Sequence, residues 1–212
     1  MTGPTFDEAF RRGLRALFAW RRDVRRFRPD PVDRALIDEL VRLGCLAPSV
    51  GYSQPWRFVV VDDAGRRARI QENFESCNAR ALAGYDGDRA RLYASLKLAG
   101  LREAPIHLAV FVDETTAVGH GLGRKTIPES VRDSVAAAVY GFSLACRAWG
   151  LGVGWLSIVD PATVRAILDA PSHWSLVTYL CVGYPQEDHL DPELERYGWE
   201  QRLPPEAVIL AR

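Results

Sequence analysis

The chain has 212 residues, 48% of them hydrophobic, and its 27 lysines plus arginines balance 27 aspartates plus glutamates. That length suits a single domain, residues 1–212, able to bury roughly 70% of its unfolded surface. A net charge of zero excludes a global basic field for nucleic acid or an anionic membrane, so any anion must be held locally.

The four cysteines, Cys45, Cys77, Cys146 and Cys181, stand far apart, without metal-knuckle or Cys-x-x-Cys spacing. Most sit in apolar runs and read as small core residues in a reducing, cytoplasmic protein. Acids and arginines interrupt the N-terminus before an apolar run forms, so no signal peptide is expected. No stretch approaches about 18 uninterrupted apolar residues, so no membrane span is expected.

Thr5 with Glu8 has the form of a capping box and predicts a helix to about Trp20, with Phe10, Leu14, Leu17 and Phe18 on one face. Asp30-Pro31 predicts the cap of a second helix, striped by Leu36, Ile37, Leu40, Val41 and Leu43 and ending at Ala47-Pro48. A strand is predicted over Phe58 to Val61, then helix from Asp62-Asp63 towards Gly100, broken near Gly84 to Gly87. Ile106 to Val112 reads as the second strand. Residues 113 to 130 carry Gly119, Gly121, Gly123 and Pro128 without periodicity, the pattern of a lid or binding loop.

Ser134 to Cys146 is apolar on nearly every face and predicts a buried central helix, plausible at a subunit interface. Val153 to Val159 and Leu176 to Val182 complete the strands, with a short helix capped by Asp160-Pro161 between them. From about Pro185 an extended C-terminal arm is polar until Ala207 to Leu210, a run suited to an edge strand on another sheet such as a partner's. Strands separated by long helices argue for an α+β or α/β sandwich, with strand order left open.

Two stretches bear on chemistry. Residues 47 to 58 place Ser49, Gly51, Ser53 and Gln54 between two prolines, which forbids regular structure. This is either an ordinary connector or a ligand-holding loop. Arg21-Arg22-Asp23-Val24-Arg25 sets three of the chain's arginines around one carboxylate just after a helix. It is either a solvated turn or a phosphate clamp, since guanidinium forks match phosphate oxygens and stay charged. Gly119 to Thr126 is no phosphate loop, because arginine precedes Lys125-Thr126 where glycine is required. Gly150 to Trp155 is no dinucleotide fingerprint, because Trp155 takes the third glycine's place. The histidines, His107, His120, His173 and His189, lack helical ligand spacing, and no metal is expected. His107 reads as a core histidine.

The run Arg21 to Phe27, Ala47-Pro48-Ser49 with Gln54-Pro55-Trp56, and Gly150 to Trp155 together resemble the nitroreductase-like FMN flavoprotein superfamily across Arg21 to Arg202. Asp23 where serine is usual, Tyr52 where asparagine is usual, Leu96 to Pro105, Gly119 to Arg124, Gly154 to Ile158 and Gly198 to Arg202 narrow the resemblance to the BluB family of aerobic 5,6-dimethylbenzimidazole synthases.

The resemblance implies an α+β fold with a central, mainly antiparallel sheet flanked by helices, in an intertwined homodimer. It implies an oxidoreductase that fragments reduced FMN with O2 and releases the lower ligand of cobalamin. NAD(P)H would be an indirect reductant and a separate flavin reductase a candidate partner. Carried over, Arg21, Arg22 and Arg25 hold the phosphate and ribityl end with Arg202, alongside Val24. Ser49, Gln54 and Leu96 lie by the flavin, and Asp23 and Ser157 are the catalytic pair. The alternative is an NAD(P)H-dependent FMN nitroreductase that retains its flavin. A non-enzymatic flavin-storage protein is the third class.

Overall fold

A computed structural model describes residues 3–211. The elements are α1 (Glu8–Trp20), α2 (Arg34–Gly44), β1 (Trp56–Val60), α3 (Ala64–Leu82), α4 (Gly87–Ser95), β2 (Ile106–Asp113), α5 (Ser130–Ala148), β3 (Gly152–Leu156), α6 (Pro161–Ile167), β4 (Trp174–Gly183) and α7 (Glu193–Arg196). The four strands form one sheet in the order β1-β2-β4-β3, and every neighbouring pair is antiparallel. The fold is therefore α+β.

The sheet is a middle layer. Alternation along β2 sends Leu108, Val110 and Val112 to one face, where they pack with Phe142 of α5 and Leu40 of α2. Ala109 and Phe111 go to the other, against Ile70 of α3 and Val164 of α6. Both faces are covered, so β2 is buried along its whole length and reads as a continuous apolar run. Gly44 lets α2 approach α5: a Cβ there would stand 2.8 Å from the Ala138 carbonyl.

Several boundaries differ from the sequence expectation. Asp7, not Thr5, caps α1, its Oδ1 accepting the Phe10 N–H at 2.8 Å. Asp33, not Asp30, caps α2, accepting from the Ala35 N–H at 2.9 Å. In both cases a closer aspartate reaches the orphan N–H groups of the first turn. β3 ends at Leu156, leaving Ser157 to Val159 in the turn that leads to the Asp160 cap. β1 is an edge strand with only Trp56 buried.

The helix α5 is not covered all round in one chain. Ala137 and Tyr140 are exposed on one face. Beside it, α1 buries none of its residues and exposes Phe10, Leu14 and Phe18. Ala207 to Leu210 forms no strand within the chain: a short 3-10 turn at Pro205–Ala207 precedes irregular backbone with Val208, Ile209 and Leu210 exposed. No helix among the described residues is long and apolar enough to cross a membrane.

Candidate active site

After α1 the chain runs extended along the free edge of β3. Val24 donates its N–H to the Val153 carbonyl at 3.0 Å, and Asp23 makes an isolated parallel bridge to Val153. That approach depends on two glycines of β3. A Cβ at Gly154 would overlap the Val24 carbonyl oxygen, and one at Gly152 would stand 2.6 Å from the Val24 side chain. The glycines of 150 to 154 thus divide their work. Gly150, at φ 76°, ends α5, while Gly152 and Gly154 admit a second backbone.

Asp23 is held at both oxygens. Oδ1 accepts the Trp155 N–H at 2.7 Å. Oδ2 accepts Arg25 Nε at 3.0 Å, with Arg25 Nη2 at 2.9 Å. The Asp23 side chain completes the hydrogen bonding of the strand edge where the backbone ladder stops. Desolvation raises its pKa above the usual carboxylate value, against the pull of Arg25, the Trp155 N–H and Arg21. Arg25 also donates from Nη1 to the Lys97 carbonyl at 3.1 Å, so its guanidinium does not stand free beside Arg21 and Arg22.

Arg22 bonds only to carbonyls among the described residues, those of Leu190 (Nε, 2.8 Å) and Arg21 (Nη1, 2.7 Å). No carboxylate among them pairs with it directly. Its pKa is lowered first by burial, then by the cations Arg21 and Arg202, while Asp191 and Glu195 oppose the shift. Arg21 Nε is buried with no hydrogen-bond partner among the described residues, and its guanidinium lies 5.7 Å from the Tyr140 ring centroid. Arg21, Arg22 and Arg202 share one open groove with Phe18, Tyr140 and Leu190. Asp191 and Glu195 line the same groove, but Asp191 is paired with Arg196, and three arginines with an orphaned N–H leave positive charge that favours an anion there.

The arm that carries Arg202 is pinned at several points. Arg26 pairs with Glu193 at 2.8 Å and with Glu187 at 3.2 Å, and Arg147 pairs with Asp188 at 2.6 Å. Farther on, Trp199 packs edge-on to Tyr85 and Tyr93 of the α4 region, at centroid distances of 5.5 and 6.0 Å. Arg89 lies over the same indole and donates to the Trp199 carbonyl at 2.9 Å. Sequence reasoning missed these arm contacts. The signal was a run of acids, Glu187, Asp188, Asp191, Glu193 and Glu195, complementary in charge to the arginine turn.

Asp23 and Val24 line a cavity with Arg21, Arg22 and Arg25, and the remaining predicted residues do not line it. Leu96 ends α4 half-buried, next to the Lys97 carbonyl that Arg25 holds. Ser157 is exposed just beyond β3, two residues from the amide bound to Asp23. Ser49 and Gln54 sit in a separate loop, where Ser49 Oγ accepts the Gln54 N–H at 3.1 Å. There Gly51, Tyr52 and Gln54 all have positive φ, of 59°, 56° and 45°. Non-glycine residues at positive φ mark stored strain of the kind found in ligand-holding loops. The loop at 113 to 130 packs on it: a Cβ at Gly51 would stand 2.9 Å from the Leu122 carbonyl. Arg124 ties that loop to itself through the Thr116 carbonyl at 3.0 Å and the Glu114 carbonyl at 2.6 Å. Neither loop lines the cavity at Asp23 within one chain. Among the described residues no group of three or more His, Cys, Asp or Glu is placed to hold a metal ion.

Comparison with known proteins places this architecture. A protein 58% identical over 203 residues, covering 96% of each chain, is the 5,6-dimethylbenzimidazole synthase of Rhodospirillum rubrum. The enzyme of the same name from Rhodobacter capsulatus is 44% identical over 201 residues, covering 95% of this chain and 97% of that one. Among solved structures, oxidized iodotyrosine deiodinase bound to FMN and 3-iodo-L-tyrosine superposes with a TM-score of 0.73 at 25% identity, covering 94% of this chain and 97% of that one. The model of the nitroreductase family matches residues 18–184, which takes in the arginine turn, the strained loop and the whole sheet, and the chain belongs to that family.

Proposed function

We propose that this chain is a 5,6-dimethylbenzimidazole synthase that consumes reduced FMN with O2 and releases the lower ligand of cobalamin. The observation that carries the reading is a desolvated Asp23, held at both oxygens by Trp155 and Arg25, close to Arg21, Arg22 and Arg202, which have no direct carboxylate partners among the described residues. Full-length identity to two enzymes of that name supports it. The FMN bound to the iodotyrosine deiodinase supports a flavin in this fold.

The residues present fit FMN. The orphaned Arg21 Nε, with Arg22 and Arg202, suits a phosphate monoester. Bound reduced FMN supplies both the electrons and the carbon skeleton of the product. Asp23 takes and returns protons at its carboxylate. The Ser157 hydroxyl, just beyond β3, would hydrogen-bond to the bound flavin. Val24 and Leu96 give apolar contact.

In this reading Ser49, Gln54 and the loop at 113 to 130 act from the second chain of a homodimer. One protomer leaves them apart from Asp23, and the exposed faces of α1 and α5 offer the surface for pairing. The assembled loop excludes water while the chemistry proceeds. The proposed setting is the cytoplasm, where NAD(P)H acts indirectly through a separate flavin reductase.

A retained-flavin nitroreductase predicts a different mass balance. Total flavin should be counted through successive cycles of reduction and aeration. Loss of flavin in air but not under argon is expected; constant flavin in both would return the chain to the nitroreductase reading.

A further inference from the structure

We infer that Arg25 is a positioning residue that fixes the Asp23 carboxylate and links it to the Leu96-Lys97 segment, rather than a ligand of the flavin phosphate. The inference rests on the proposed function, since it takes Asp23 as the proton-handling group.

The geometry is specific. Arg25 places Nε and Nη2 on Asp23 Oδ2, at 3.0 and 2.9 Å, and Nη1 on the Lys97 carbonyl at 3.1 Å. Only 11% of the Arg25 side chain is exposed. All three guanidinium nitrogens are engaged on protein oxygens, which leaves one N–H on each Nη, and the charge is already matched by the Asp23 carboxylate. Arg21 contrasts with it, with a buried Nε that has no partner among the described residues. The neighbouring arginines thus divide into one that neutralises a carboxylate and others that leave charge for an anion.

The link to Lys97 has a consequence for substrate contact. Leu96 leaves α4 in an extended conformation, at φ -76° and ψ 134°, so the chain departs from the helix there. Arg25 captures the carbonyl of the next residue, Lys97. The Lys97 amino group is turned to Glu103 instead. One guanidinium therefore sets both the orientation of Asp23 and the course of the segment carrying Leu96.

Asp23 lines a cavity with ion pairs satisfied among themselves, Arg26 with Glu187 and Glu193, Arg147 with Asp188 and Arg196 with Asp191, and with Arg22 and His189. The groups that act most directly on its charge are nearer. Arg21 and Arg25 come from its own segment, the Trp155 N–H from β3, and Cys181 from β4 across a small cavity also lined by Gly100 and Gly154. Cys181 is neutral, its thiol pushed up to about 12 by burial, so it cannot replace a lost cation. The Lys97–Glu103 pair balances itself. Removing Arg25 leaves a desolvated carboxylate with the Trp155 N–H as its main support, and Asp23 then titrates at higher pH.

The test uses the full-length protein without turnover. Carbon-13 NMR of labelled aspartates, with Asp23 assigned through D23N, follows its titration in wild type, Arg25→Met and Arg25→Lys. Binding of oxidised FMN and of riboflavin is measured on the same samples. The Asp23 midpoint should move to higher pH in Arg25→Met and return part of the way in Arg25→Lys, which keeps the charge without the fork. The ratio of FMN to riboflavin affinity should stay within about twofold of wild type in both, whereas Arg21→Met should lower it by about ten- to a hundredfold. An unmoved Asp23 titration, or loss of FMN preference in Arg25→Met, overturns the inference. Arg25→Lys retains the cation and serves if the methionine variant misfolds. Failure of the synthase reading would register separately, as wild-type protein that leaves FMNH2 unfragmented in air.

Discussion

At Asp23 the decisive quantity is the balance between desolvation and two hydrogen-bonded partners. Asp23→Asn keeps the shape, an oxygen for the Trp155 N–H and the arginine groove, while replacing the titratable carboxyl and giving up the acceptor that faces Arg25. It should leave FMN affinity within a few-fold of wild type and slow flavin fragmentation by about 10² to 10⁴, read by stopped-flow mixing of the FMNH2 complex with air. An equal loss of binding and rate would make Asp23 a binding residue instead. Ser157→Gly should also spare binding and impair the oxygen-dependent step.

A second residue governs stability in acid. Burial lowers the pKa of His107 from 6.5 to about 4 in the folded chain, where its Nδ1 lies 2.9 Å from the Tyr179 hydroxyl. Above pH 6.5 both states hold the ring neutral and its full contribution is present. As pH falls from 6.5 towards 4 the unfolded chain takes a proton that the folded chain refuses. Stability should therefore drop by about 3 kcal/mol across that window. Urea unfolding from pH 7 to pH 4 should show this slope, and His107→Phe combined with Tyr179→Phe should flatten it.

Among the elements, the contact of β3 with the segment at 21 to 27 is the one on which the site depends. Gly154→Ala puts a methyl group into the Val24 carbonyl, and backbone on both sides leaves no flexible side chain to yield. The expected cost is about 1 to 3 kcal/mol, with FMN binding lost in parallel because Asp23 is displaced from Trp155. Thermal unfolding and FMN titration of the variant check both. Unchanged binding would mean that the edge contact does not organise the site.

Elements with local signals were readable in the sequence. The starts of α3 at Asp63 and α6 at Asp160-Pro161 were legible because capping is local chemistry within a few residues. So were the break between α3 and α4 and the strand at Ile106, each marked by glycines or by an apolar run. Strand order was not, because antiparallel pairing joins residues as distant as Trp56 and Val112 through contacts with no local signature. Only the resemblance supplied the antiparallel sheet. The arginine turn was visible as a charge pattern, but the division between Arg25 and Arg21 depends on Lys97 and Tyr140, far off in sequence. The course of the arm was hidden for the same reason, since Trp199 finds its cage on the α4 region by tertiary contact.

Across the whole molecule, exposed apolar residues on α1 and α5 accompany a cavity at Asp23 that the loops at 47 to 58 and 113 to 130 do not line within one chain. Phe10, Leu14 and Phe18 lie on the uncovered side of α1, and the Phe18 ring meets Tyr140 of α5 at 6.1 Å. A run of large apolar side chains this exposed is unusual in a monomer. Sedimentation at low micromolar concentration should give twice the 23.7 kDa chain mass. Phe10→Glu with Leu14→Glu should shift the protein towards monomer and remove flavin binding with it. A monomer that binds FMN normally would place the whole site within one chain.

The central claim is that flavin is the substrate. It is tested most directly by chromatography of an aerobic reaction containing the protein and a measured excess of FMNH2, with an anaerobic control. The account predicts 5,6-dimethylbenzimidazole in air, formed mole for mole with the FMN that disappears, and none without oxygen. Quantitative recovery of FMN with no benzimidazole in either sample would contradict it.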